Sequence, residues 1–296
     1  MACSSSDVFA IATRDATEPG FDSGFVVDMA MIRSTGADNM WITSRLTQGK
    51  YLITNSTNAE ASSTSLMFDY MDGWNANAGT ASTLYSWMFK RAKGFFDVVA
   101  YTGTGVTGRT VNHNLGVVPE MMWVKGRNAA SEWHVYYGDE LKALILQSTE
   151  TPRTGSHLWN DTAPTNNLFT SGSNINTSSN TYIAYLFATL PNISKVGSYT
   201  GNGTTQTIDC GFTTGAKFVI VKPTDGGHWS MWDSTRGIVA GNDSALHLNA
   251  TTAENTLYDD IDPDNSGFIV NYVGGTSNAC NGNSTSYIFY AIANPI

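Results

Sequence analysis

Asp260, Asp262 and Asp264, in the segment DDIDPDNSGF, place three carboxylates at alternate positions. Calcium takes six to eight oxygen ligands, and D-x-D-x-D is how one short loop supplies several of them. The match to an EF-hand loop is partial. The glycine falls at Gly267 instead of directly after the third acid, Asn271 stands where a bidentate Glu would be needed, and Pro263 marks a turn. A solvated acidic turn is therefore the stronger reading, with calcium the one cofactor that the spacing suggests. His113, His134, His157, His228 and His247 show neither H-x-x-x-H nor H-E-x-x-H spacing. Glu120 and Asp139 are carboxylates that could meet in space as a glycosidase pair, yet neither lies in a catalytic motif, so the chain is read as a non-enzyme. Aromatic faces pack well on sugar rings. Trp41, Trp133 and Trp229 recur at one place in a repeat, which points to a shared packing role, and Phe68, Trp159 and Tyr258 are read the same way. Trp232 and Tyr272 are not shared between copies and are the better candidates for facing a ligand.

The elements that would position these residues come in three copies. A β-type run ending in a basic residue recurs as MAMIR (Met29 to Arg33), MMWVK (Met121 to Lys125) and KFVIVK (Lys217 to Lys222). Trp41, Trp133 and Trp229 follow it after seven or eight residues. A short strand running into a polar turn comes next: YLITNST from Tyr51, ALILQST from Ala143 and ALHLNAT from Ala245. Each copy closes with TLYSWMF from Thr83, TYIAYLF from Thr181 or SYIFYAI from Ser286. Four anchors in register define a tandem repeat of about 95 to 105 residues, with units at 1–92, 93–190 and 191–296. Pro191 stops the second unit's last strand from continuing. The second and third units open with YTGTG and YTGNG, whereas the first begins FAIATRDATEPG. Either Met1 is internal to a longer reading frame, or Ala2 to Gly20 forms a different edge such as an attachment arm.

Periodicity within a unit is two. The closing strand sets Tyr182, Ala184 and Leu186 against Ile183, Tyr185 and Phe187, so both faces are apolar and the strand is expected to be central and covered on two sides. Gly, Asn, Asp and Ser clusters punctuate the chain every 8 to 12 residues, as in a sandwich. The fold class is thus all-β, with three tandem β-sandwich-like units. Charged residues make up 14% of the chain and its formal net charge is −9. A nucleic-acid binder needs a concentrated basic face, and a membrane span needs an apolar run near 18 residues; neither is present. The opening MACSSSDVFA has no basic segment followed by an apolar core, so it is not read as a secretory signal. Cys3, Cys210 and Cys280 are too sparse for a disulfide framework. Cys210 and Cys280 are read as free small hydrophobes, with a bridge between them as the alternative.

The segments FKRAKGFFDVVAYTGTGVTGRTVNHNLGVVPEMMWVKGRN, LWNDTAPTNNLFT and YIAYLFAT, within Phe89 to Ala188, resemble a repeat domain of marine bacteriophage virion proteins, including those of cyanophages. Such units sit toward the C-terminal end of long tail-fibre or similar structural proteins, so the resemblance implies an exposed virion protein. The implied role is a tail-fibre or adhesin-like one, holding host surface polysaccharide and contacting other virion proteins, with a homo-oligomer expected and a trimer favoured. The alternatives are a capsid decoration or head-fibre protein with a purely structural role, and a free carbohydrate-binding module or depolymerase. The resemblance brings no catalytic residues.

Overall fold

The computed structural model describes residues 4–76, 84–272 and 280–296; Met1, Ala2, Cys3 and Thr83 lie outside them. The first unit contains β1 (Phe9–Thr13), β2 (Phe21–Asp22), β3 (Met29–Ser34), β4 (Trp41–Ser44), β5 (Lys50–Ile53), β6 (Ala61–Ser62), β7 (Leu66–Met67), β8 (Gly73–Ala76) and β9 (Leu84–Phe89). The second contains β10 (Phe96–Thr102), β11 (Arg109–Asn112), β12 (Met121–Gly126), β13 (Trp133–Tyr136), β14 (Lys142–Ile145), β15 (Arg153–Thr154), β16 (Leu168–Ser171) and β17 (Thr181–Phe187). The third contains β18 (Ser194–Thr200), β19 (Gln206–Asp209), β20 (Ala216–Pro223), β21 (Ser230–Asp233), β22 (Leu246–His247), β23 (Ile261–Asp264), β24 (Gly267–Val270) and β25 (Ser286–Ala293).

The protein is all-β. Each unit has one large sheet, in the orders β1-β9-β3-β4-β5-β6, β10-β17-β12-β13-β14-β15 and β18-β25-β20-β21-β22. The closing strands β9, β17 and β25 each lie antiparallel between two neighbours of their own unit. Against each large sheet stands a small one: β2-β8-β7, β11-β16 or β19-β24-β23. The first unit's opening differs in sequence but not in place. Phe9 sits opposite Phe89 as Phe96 sits opposite Phe187, so β1 takes the same sheet edge as β10. Among the described residues no helix is long and apolar enough to cross a membrane.

Side chains alternate faces along a strand, and here both faces are used. In β17, Tyr182, Ala184 and Leu186 join Trp159 and Phe169 in the second unit's own core. The equivalent cores hold Phe21, Phe68, Trp74 and Met88 in the first unit, and Val219, Trp232, Phe268 and Phe289 in the third. Cys210 and Cys280 are free and buried in that third core. The opposite faces all enter one further cluster. It takes Met31, Trp87 and Phe89 from the first sheet, Trp123, Ile183, Tyr185 and Phe187 from the second, and Phe218, Ile220, Tyr290 and Ile292 from the third. Rings meet there across units, with Phe187 and Tyr290 centroids 5.0 Å apart and Phe89 and Phe218 centroids 6.4 Å apart.

The contacts between units run in a cycle. Arg33, Lys125 and Lys222 occupy one ladder position, opposite Tyr85, Ile183 and Ile288, and all three are buried. Lys125 Nζ donates to the Thr57 carbonyl (3.1 Å) of the first unit, and Lys222 Nζ to the Glu150 carbonyl (3.4 Å) of the second. Arg33 Nη1 donates to the His247 (2.8 Å) and Ala250 (3.0 Å) carbonyls of the third, and its Nη2 to the Thr252 carbonyl. Second rests on first, third on second and first on third, which closes a ring.

Two of the repeated tryptophans belong to these seams. Trp133 Nε1 donates to the Ile53 carbonyl (3.0 Å) and Trp229 Nε1 to the Ile145 carbonyl (3.1 Å). Trp41 does not. The amides of Leu146 and Leu248 donate to the Trp133 and Trp229 carbonyls, and the corresponding amide of Thr54 donates to Met40. Met40 therefore fills the shared-core position. Trp41, one residue later, falls on the other face of its strand, half-buried and stacked on Tyr51 at 4.0 Å.

Trp133→Ala and Trp229→Ala are each expected to lower stability by about 3 to 5 kcal/mol, the range for truncating a fully buried large aromatic. Trp41→Ala is expected to cost less than either, because Trp41 keeps solvent contact. Urea unfolding of the three variants checks the order, and equal losses would contradict the assignment of Met40 to the shared core.

Candidate functional site

Trp232 lies in β21, three residues past Trp229 and so on the opposite face. It is fully buried in the third unit's core, and its indole N–H finds no acceptor among the described residues. The expectation that Trp232 faces a ligand is corrected by this burial. Tyr272 follows β24 and is 44% exposed.

Asp260, Asp262 and Asp264 do not form a loop that gathers oxygens. Ile261 to Asp264 is a strand, paired with β24 in a hairpin. A strand rises about 3.3 Å per residue, so its alternate carboxylates are strung over roughly 13 Å, while calcium draws its ligands to within about 2.3 to 2.6 Å of itself. Each acid is also directed elsewhere. Asp264 caps the turn through Ser266 N (2.8 Å) and Ser266 Oγ (2.6 Å). Asp262 accepts from Gly241 N (3.3 Å) and Asn271 Nδ2 (2.8 Å). Asp260 is buried, with Oδ1 unpartnered among the described residues. Among those residues no three His, Cys, Asp or Glu side chains are placed to hold a metal ion, so the calcium expectation is withdrawn.

Against the same hairpin lies a carboxylate that the spacing did not reveal. Asp243 is buried and accepts from Val239 N (3.3 Å) and Ile261 N (2.8 Å). Burial pushes its carboxyl up to about 7, with Asp259 and Asp260 adding to the effect. Burial likewise pushes Asp260 up to about 6, with Asp259 second. Both hold a proton more tightly folded than unfolded. Their stabilisation is full below the unfolded value near 3.9 and is lost as pH rises through 6 to 7.

A different place gathers polar groups around a hollow. At the first seam the amide of Glu60 donates to the Arg127 carbonyl (2.7 Å), and at the third the amide of Glu254 donates to Thr35 (2.8 Å). The residue equivalent to Glu60 and Glu254 at the second seam is Pro152, which has no N–H. The first seam is further filled by Arg127 Nε on Glu60 (2.8 Å) and Lys50 Nζ on Glu60 (3.0 Å). At the second seam Thr224 stands where Arg127 would be, and Lys142, the counterpart of Lys50, pairs with Asp139 instead (2.8 Å). There a hollow of about 500 Å³ opens between the units, lined by Pro152, Thr224, Tyr137, Asp139 and Lys142 among others. A second hollow of about 300 Å³ adjoins it through Tyr137, Gly138, Ser198 and Ile288.

The larger hollow includes Asp139 and the smaller one Glu120, so the two carboxylates come to one region. Each is already engaged. Lys142 holds the Asp139 carboxyl below the usual carboxylate range, with the Leu141 amide assisting, and the Glu120 carboxylate accepts the Thr189 N–H. Tyr137 is half-buried against the shared core, and that burial, with Asp139 adding, pushes its phenol up to about 12. The region can therefore accept hydrogen bonds at Asp139 and donate them from Lys142 and Tyr137. One signal in the sequence marks the place: Pro152 interrupts a position that carries Glu in both other copies.

The fold and this seam define a class of protein, an all-β ring of three sandwiches fused over a common core. The chain belongs to the family described as a domain of unknown function, DUF7483, through a match over residues 23–295 that takes in all three units. No curated protein and no solved structure matches it.

Asp260→Asn keeps a neutral side chain at every pH. It is expected to raise stability by about 1 to 3 kcal/mol at pH 8 and by less at pH 5. Thermal melts at the two pH values check this, and equal shifts at both would contradict a raised folded-state value at Asp260.

Proposed function

We propose that the chain is a non-enzymatic protein of the exposed surface of a phage particle, tail-fibre or adhesin-like, that holds a host surface glycan. The observation that carries this reading is the closed ring. Three sandwiches share one apolar core and are stapled in a cycle by Arg33, Lys125 and Lys222. Such a body is rigid, because moving any unit would expose one face of its central sheet. It repeats its outward loops three times in one chain, and repeated weak contacts gain avidity without any new contact being made. Both properties suit a module that must keep hold of a surface. The resemblance of Phe89 to Ala188 to marine phage repeat domains supports the setting. The engaged states of Glu120 and Asp139 favour gripping a polysaccharide over cutting it.

Immunogold labelling of purified particles, with antibody raised against this chain, tests the setting. Label on the tail tip or fibres is expected. Label spread over the head would move the protein to capsid decoration, and particles without label would remove the virion reading.

A further inference from the structure

We propose that the paired hollow at the seam between the second and third units is a binding site for a neutral oligosaccharide; the inference deepens the adhesion reading and rests on it for the source of the sugar. The site exists because the ring is imperfectly symmetric. At the first seam, Glu60, Arg127 and Lys50 form a compact set of ion pairs, and Glu60 N–H bridges to the next unit. At the second seam two replacements undo this. Pro152 removes both the bridging amide and the carboxylate, and Thr224 removes the guanidinium. The space they leave stays open.

The chemistry of the walls matches a neutral sugar. A saccharide has faces of C–H groups and a rim of hydroxyls that both give and take hydrogen bonds. Tyr137 supplies an aromatic surface, with its ring packed on the shared core and so fixed in place. Asp139 and Lys142, 2.8 Å apart, offer an acceptor and a donor whose charges cancel, which favours hydroxyls over a charged ligand. Thr224 and Ser198 add hydroxyls from the third unit. Hollows of about 500 and 300 Å³ lie in the size range of small-molecule sites, roughly 300 to 1,000 Å³, with room in the pair for two or three sugar rings. Groups from the second and third units line the space, so only the two docked together complete it.

The internal symmetry of the chain also supplies the test. Replacing Pro152 by Glu and Thr224 by Arg imports the pairing of the first seam and should fill the hollow without loss of stability. The full chain is titrated with maltotriose, cellotriose and tri-N-acetylchitotriose, and contact is read by saturation-transfer NMR on the sugar protons. At least one trisaccharide is expected to bind. Its affinity should fall at least tenfold in the Pro152→Glu, Thr224→Arg double variant and in Tyr137→Ala, and should be unchanged in Tyr272→Ala. Thermal melting of each variant confirms that it is folded. Absence of binding by all three sugars would overturn the site, as would binding that survives the double variant. Labelled particles together with a chain that binds no sugar would remove the site and leave the adhesion reading standing. A sugar-binding chain absent from particles would do the reverse.

Discussion

Each unit's central sheet is apolar on both faces, and a small sheet of two or three strands covers one of them. The other face must be hidden, and in this chain the three sheets hide it against one another. That constraint explains the close approach of the units, the large aromatics in the closing strands and the continuous cluster running from Phe9 through Phe187 to Ile292. It also creates a problem of its own. Bringing sheet faces together buries main-chain carbonyls at the seams, and a buried carbonyl without a donor costs about as much as a lost hydrogen bond. A long cationic side chain can lie along the apolar face and still deliver its donors to such carbonyls. Lys125 and Lys222 do this at the price of their own desolvation, which pushes both down to about 8.

The third seam depends on side-chain contacts for a topological reason. The first and second units are joined by a short connection, as are the second and third, but the first and third meet without one. That contact has to be specified by side chains. Arg33 supplies three carbonyl contacts there, and Thr54 Oγ1 adds a fourth on Leu248 (2.6 Å). Trp87 of the first unit donates its indole N–H to Asp233 of the third (3.0 Å). Asp233 is also bound by Arg236 (2.6 Å), which reaches on to Glu254 (2.8 Å), and the Asp233 and Arg236 side chains are almost fully buried. Buried ion pairs of this kind do not by themselves argue for stability. A misplaced register, however, would leave the Trp87 indole N–H and the Arg33 guanidinium without their acceptors in a dry environment, so these contacts favour one closed arrangement over its neighbours.

The repeat, the period of two and the two-sided closing strands were all legible in the sequence, because each depends on local pattern. What failed depended on a single residue of offset or on a distant partner. Trp41 follows Arg33 by eight residues, as Trp133 follows Lys125, yet only in the second case is the tryptophan opposite the basic residue. In a strand that one-residue difference turns the side chain from the shared core to the unit's own. Being unshared between units makes Trp232 a candidate for facing a ligand, but its place three residues after Trp229 puts it on the inner face of β21. Pro263 among the aspartates of β23 suggests a turn, yet a proline is tolerated in a short strand at the sheet's edge. Asp243 gave no local sign at all, since its surroundings are assembled from segments some twenty residues apart.

The contrast between the seams bears on where function should be sought in a chain built of repeats. Positions that carry similar residues in all three units, such as Arg33, Lys125 and Lys222, answer a demand that all three share, and closing the ring is such a demand. A ligand met at one seam places no demand on the other two. Residues that serve it are therefore free to differ, and they show up as departures from the repeat. Pro152 is such a departure at a place where the structural requirement is explicit, since Glu60 and Glu254 both give an amide to the next unit and Pro152 cannot. Giving up that hydrogen bond is tolerated because the seam keeps others, from Trp229, Lys222 and the Gly227 amide on Thr149. The ring therefore stays closed at the second seam while a polar hollow opens beside it. The shared core makes this departure tolerable by holding the units together independently of the bond that was lost.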